Sequence, residues 1–136
     1  MLRVSIPASM TKADEERWVA EMVRRLQLRT TSFGVDLDRR AEQLADRYLL
    51  PHPASIRWVD NQAWRWGSCT PADGAIRISS RLAREPAWVL DYVIVHELTH
   101  LVVPSHGQEF WAIVNRYPKA ERARGFLIAR GLEPSG

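Results

Sequence analysis

The segment from Trp88 to Val103, WVLDYVIVHELTHLVV, constrains this chain more than any other. Wound as a helix it is apolar nearly all the way round, broken only by Asp91 and by His96, Glu97, Thr99 and His100. A helix of that kind has no face to give to water and belongs at the centre of a fold, covered from several sides. It is too short to span a bilayer. Pro86 suits its first turn and Pro104 stops it. The rest of the 136-residue chain must therefore supply the cover.

Two amphipathic helices come first. Thr11-Lys12-Ala13-Asp14 has the form of a capping box. After it, Trp18, Met22 and Leu26 recur at helical spacing, with Val19 and Val23 off that line, and Phe33-Gly34 ends the segment. The second helix runs from Asp36 or Asp38 to Leu49, with Leu37, Ala41, Leu44, Ala45 and Tyr48 on one face, until Pro51 and Pro53 stop it. The period then changes to two. Ile56, Trp58 and Val59, then Trp64 and Trp66, then Ile76 and Ile78 read as three short strands. Asp60-Asn61 and Ala72-Asp73-Gly74 read as the turns between them, which predicts an antiparallel meander. Beyond the central helix, a further helix starts near Ser105 and carries Phe110, Trp111, Ile113 and Val114. Pro118 opens a last one ending near Gly131. The expectation is one α+β domain over residues 1–136: a helical part at 1–53, and a core at 55–130 whose small antiparallel sheet packs on the central helix.

Composition narrows the function classes. The hydrophobic fraction is 46% and the charged fraction 26%, values of a soluble globular chain. Cys69 is the one cysteine, so no intrachain disulfide forms. That fits a reducing compartment, and residues 1–10 lack the apolar run of a signal peptide; both predict a cytoplasmic protein with no membrane association. The net charge is +3, but the arginines are scattered and no block of like charge occurs. Nucleic-acid contact is thus weakly supported.

The chemistry sits in the central helix. His96-Glu97-Leu98-Thr99-His100 matches H-E-x-x-H. Positions four apart lie about 40° apart on a helix, one turn up, so both imidazoles reach one metal ion. Glu97 lies about 100° round from His96, where its carboxylate can take a proton from a zinc-bound water without being a ligand itself. A catalytic zinc needs a third protein ligand and an open position. His106 is the favoured candidate, because the chain can turn at Pro104 and bring it back. Glu121 on the last helix is the rival, and Glu109 a weaker one. The spacing also occurs in the metzincin motif, but Val103 stands where that motif has glycine, and all three methionines precede the site. His52, between two prolines, is expected at the surface.

Trp66-Gly67-Ser68-Cys69, the hairpin after it, Val89 to His100, then His106 and Phe110-Trp111 together resemble the YgjP-like metallopeptidase-domain family. These are metal-dependent hydrolases related to the SprT-like and WLM zincins. The resemblance covers roughly residues 55–130. It implies His96, His100 and His106 as zinc ligands, Glu97 as base, and a minimal zincin fold. Members of that family carry a longer β-rich N-terminal region. Here residues 1–53 stand in its place, read above as helices, so the substrate selection it provides would be absent or changed.

Glycine within a strand often marks close approach of another backbone. Trp66, Gly67 and Ser68 are therefore candidates for the border of the cleft, binding an extended peptide by strand addition. The plainer alternative is a hairpin with a packed tryptophan and a buried Cys69. Cys69 as a metal ligand is disfavoured, since better ligands are available. Arg65, Tyr92 and Tyr117 are candidates for stabilising the oxyanion. The leading function is a zinc-dependent peptidase acting on peptide or protein substrates. The alternatives are a zinc hydrolase of a non-peptide substrate such as a nucleotide, and a nucleic-acid-associated interaction module. No Gly-rich phosphate loop supports the former. The oligomeric state is not legible.

Overall fold

A computed structural model of the chain describes residues 11–19, 34–60 and 65–131. Residues 12–19 form the described part of helix α1. Its predicted cap is present. The Thr11 hydroxyl accepts from the Asp14 amide at 3.1 Å and donates to the Asp14 carboxylate at 2.7 Å. Trp18 is half-buried; Met22, Val23, Leu26 and Phe33 lie outside the described residues.

Helix α2 spans Leu37–Tyr48, capped by the Asp36 side chain, which accepts from the Arg39 amide. Leu37, Ala41, Leu44 and Ala45 are its buried face, as the spacing predicts. It ends at Leu49, which adopts the left-handed conformation (φ 59°) with its side chain exposed, so that Leu50 returns to the core. Strands β1 (Ser55–Val59), β2 (Gly67–Thr70) and β3 (Ala75–Ser79) follow, then a 3-10 turn at Ser80–Arg84. Helix α3 (Ala87–His100) is the central helix, followed by α4 (Gln108–Val114) and α5 (Ala120–Ala129). Helix α4 begins at Gln108 rather than near Ser105, and α5 at Ala120 rather than Pro118. No described helix is long and apolar enough to cross a membrane.

The sheet corrects the predicted meander. Its order is β1-β3-β2, with β1 parallel to β3 and β2 antiparallel to β3, so it is mixed rather than purely antiparallel. The period-two pattern is blind to this choice. Ile56 and Trp58 on β1, and Ile76 and Ile78 on β3, bury one face of the sheet whichever way the strands run. The turn at Ala72-Asp73-Gly74 does join β2 to β3 as a hairpin. Gly74 also serves β1: its carbonyl accepts from the Ala54 amide at 2.9 Å. Of the other predicted turn and strand, Asn61 and Trp64 lie outside the described residues, and Trp66 precedes β2 instead of lying within it.

Helix α3 is covered as its composition requires. It touches α2, α4, α5, β2 and β3, and Val89, Leu90 and every residue from Tyr92 to His100 are buried. Asp91, the interruption at its N-terminal end, is answered by Arg40 of α2 at 2.6 Å. Burial still leads and holds its carboxyl above the usual carboxylate range. At the same end, the Tyr117 hydroxyl donates to the Trp88 carbonyl at 2.7 Å.

Candidate metal centre

The last turn of α3 brings the H-E-x-x-H residues to its C-terminal end. His96, Glu97 and His100 are each at most 3% exposed. The helix then unwinds through Leu101 and Val102. The Val103 amide bonds back to the Thr99 carbonyl at 2.9 Å, which turns the Val103 carbonyl toward the helix end. His100 Nδ1 sits 3.1 Å from that carbonyl oxygen. A carbonyl only accepts, so Nδ1 carries the proton and Nε2 keeps its lone pair. The chain turns after Pro104 and returns His106 Nε2 to within 2.9 Å of His100 Nε2.

The third donor belongs to His96. One ligand atom from each of His96, His100 and His106 lies within 4.8 Å of the others. Ligand atoms around a tetrahedral zinc, with metal–nitrogen bonds of about 2.1 Å, stand about 3.4 Å apart, so the spread is within reach of one ion. Two imidazole nitrogens facing each other across 2.9 Å either share a proton or aim two lone pairs at one cation. The set therefore fits a metal ion. Burial, first of all, lowers the pKa of His100 and of His106; His106 adds to it at the former, and the Arg124 guanidinium at the latter. The neutral imidazole so favoured is the form that ligates.

Aromatic rings wall this cluster. Phe110 of α4, fully buried, lies beneath all three histidines at ring separations of 4.9, 4.5 and 4.8 Å. Trp66 packs on His96 at 5.5 Å and on Tyr92 at 5.5 Å. The Tyr92 hydroxyl stands 3.4 Å from His96 Nδ1, four residues on along α3. Trp111 faces His106 at 5.8 Å, and the guanidinium of Arg124 on α5 stacks on Trp111 at 4.3 Å.

Glu97 meets the sheet at Gly67. A Cβ placed at Gly67 would come within 3.4 Å of the Glu97 carboxylate and within 2.8 Å of the Arg77 carbonyl oxygen, closer than real contacts allow. This is the close approach that a glycine in a strand signals. Its neighbours behave differently. Trp66 is buried as part of the wall behind His96. The Ser68 side chain accepts from Arg77 Nε at 2.8 Å, beside Thr70, which Arg77 also holds, so it is committed within the sheet. Cys69 is half-buried, and burial, with Glu97 and Asp73 adding to it against Arg77, pushes its thiol up to about 11. It is not among the metal-capable group.

The remaining candidates separate cleanly. Glu121 and Glu109 are exposed and stand outside the histidine cluster. His52 is exposed, as expected, beside Asp46 at 2.7 Å. Of the oxyanion candidates, Tyr117 is bonded to Trp88, far up α3, with its hydroxyl pushed to about 12 by burial. Tyr92 is buried against His96, and that burial holds its hydroxyl well above its ordinary range. Arg65 is exposed next to Trp66. Reading the sequence missed Arg124, which approaches the site from a helix that carries no motif. The spacing of Tyr92 to His96 is legible, but its place beside Nδ1 is not.

The model of the YgjP-like metallopeptidase domain matches residues 10–127, reaching further toward the N-terminus than the motifs themselves. No curated protein matches the chain in sequence. Among solved structures, the crystal structure of the metallopeptidase zymogen of Pyrococcus abyssi abylysin aligns with a TM-score of 0.56 at 21% identity. The alignment covers 64% of this chain and 84% of that one; at such identity the likeness is one of fold. With the family's model running over most of its length, the chain belongs to the YgjP-like metallopeptidase family.

Proposed function

We propose that this single domain is a zinc-dependent metallopeptidase in which His96, His100 and His106 hold the metal and Glu97 is the general base. The observation that carries the reading is the convergence of three histidine donor atoms within 4.8 Å at the end of a buried helix. When bound, zinc would acidify a water molecule and polarise the scissile carbonyl. The chain's own residues do the rest. The Val103 carbonyl orients His100, and the Tyr92 hydroxyl beside Nδ1 orients His96. Glu97, held between α3 and Gly67, takes the proton of the attacking water and passes it to the leaving amine. Phe110, Trp66 and Trp111 keep the surroundings apolar, which strengthens each electrostatic contact.

Substrate docks on β2 in this reading. β2 lies at the edge of the sheet, and no described strand pairs with its outer side. The Ser79 amide bonds to the Trp66 carbonyl, which puts residues 66 and 79 in a hydrogen-bonded pair. By the antiparallel alternation, the backbone groups of Gly67 and Cys69 then point outward. An extended peptide can pair with them as an added strand, which would lay its backbone alongside Glu97. Gly67 and Cys69 supply backbone to that contact, and Trp66 and Ser68 support it from within.

Metal content and turnover test this together. Wild type and Glu121→Ala should each hold about one zinc per chain, and His106→Ala should hold none. Glu97→Gln should keep its zinc and lose about a hundredfold or more in kcat on peptides. Full activity in Glu97→Gln, or a wild type that takes up no zinc after it is added back, would sink the proposal.

A further inference from the structure

We propose that Arg124 determines specificity at this site: its guanidinium, stacked on Trp111 at the edge of the histidine cluster, takes a carboxylate of the substrate close to the scissile bond. The inference rests on the peptidase reading above and adds to it the class of substrate preferred. Trp111 is half-buried, with its ring 5.8 Å from that of His106 and 6.1 Å from that of His96. Arg124 lies 4.3 Å over that ring, so the cation is no further from His106 than those two short separations combined. An extended chain advances about 3.5 Å per residue, so this reach corresponds to groups within about three residues of the bond being cut.

A second stacked arginine shows what is unusual here. Arg130, also on α5, lies 5.0 Å over Phe126, and its guanidinium is answered by Glu85 at 3.5 Å. Arg124 is exposed and makes no ion pair or hydrogen bond with a described residue. Stacking occupies the face of a guanidinium and leaves the donors at its edge free. Those edge donors form a planar fork that matches a carboxylate with two parallel hydrogen bonds. The ring thus orients the cation at the rim of the site while, among the described residues, no partner takes up its hydrogen-bonding capacity. The carboxylate it would take belongs either to an acidic side chain or to the substrate's C-terminus.

Four matched peptides distinguish these sources: one with Glu next to the cleaved bond, its Gln counterpart, and each with a free or an amidated C-terminus. They would be assayed with the zinc-loaded wild type, Arg124→Gln and Arg124→Lys. Wild type should favour a carboxylate-bearing peptide by about ten- to a hundredfold in kcat/KM, as a charge-assisted pair provides. That ratio should collapse toward one in Arg124→Gln, chiefly through KM, and recover in part in Arg124→Lys. Loss of preference on changing Glu to Gln assigns the side chain, and loss on amidation assigns the terminus. A wild type with no preference, or an Arg124→Gln that lowers all four peptides equally, overturns the proposal. If wild type cleaves none of them, the peptidase reading fails separately, and binding decides the matter. Calorimetry of the same peptides on zinc-loaded Glu97→Gln should then show charge-selective binding that disappears when Arg124→Gln is added; equal binding of all four peptides overturns the proposal.

Discussion

The two sides of the histidine cluster are built differently. His96 and His100 stand on α3, at most 3% exposed, each with Nδ1 facing a fixed oxygen, that of Tyr92 or of Val103. His106 comes from an irregular loop, is exposed, and touches the cluster through His100 and the rings of His96, Phe110 and Trp111. One side is part of the core, and the other is laid over it. The helix side cannot be altered without cost to the fold, whereas the loop side carries little of it. In the proposed reading, two metal donors and the base stand on the packed core and the last donor on the loop laid over it.

The sharpest way to break this comparison is to remove one histidine from each side. His100→Ala should lose metal binding and also destabilise the metal-free protein by about 3 kcal/mol, because it opens a cavity in a packed interior. His106→Ala should lose metal binding yet leave the metal-free stability within about 0.5 kcal/mol, as exposed positions do. Denaturant unfolding in a chelator checks both, and equal losses would mean that the loop is as much core as the helix. Gly67→Ala probes the rigid side from the sheet. Its Cβ would meet the Arg77 carbonyl at 2.8 Å, so a loss of about 2 kcal/mol is expected, with lower turnover because relieving that clash shifts the β2 backbone beside Glu97. Unchanged stability would show that β2 gives way easily.

A smaller effect should appear with pH. Burial lowers the pKa of His100 below its unfolded value near 6.5. As the pH falls below that value, the unfolded chain takes up a proton that the folded chain still refuses. The metal-free protein should therefore lose stability as the pH falls through this window, and His100→Gln should flatten the dependence. The same direction holds for His106, more weakly, because it is exposed. Unfolding in chelator at pH 7.5 and 5.5 measures this, and identical slopes in the two proteins would contradict it. The smallest expected change is a control away from the cluster. Leu49 holds a left-handed conformation with its side chain 82% exposed, so Leu49→Gly should gain about 0.5 kcal/mol and leave zinc content unaltered.

Much of this site is legible in the chain because it is local. The spacing of His96, Glu97 and His100 depends only on helix geometry, and the helix was readable from its apolar run. His106 was readable as a candidate because Pro104 forces a turn between His100 and His106. The capping of α1 and α2, the buried face of α2 and the β2–β3 hairpin are local in the same sense. The sheet's order was not, because alternation in β1 and β3 satisfies the same buried face in either direction.

By itself, then, the sequence determined a central helix carrying two histidines and a glutamate in H-E-x-x-H spacing, because a segment apolar on every side has one stable place and a four-residue interval one geometry. Tertiary structure alone decided that β1 pairs with β3, that Gly67 lies against Glu97, that Tyr92 and Val103 orient the histidines, and that Arg124 reaches Trp111. Those contacts join residues from separate elements, and whether they meet depends on how whole elements pack rather than on any interval along the chain.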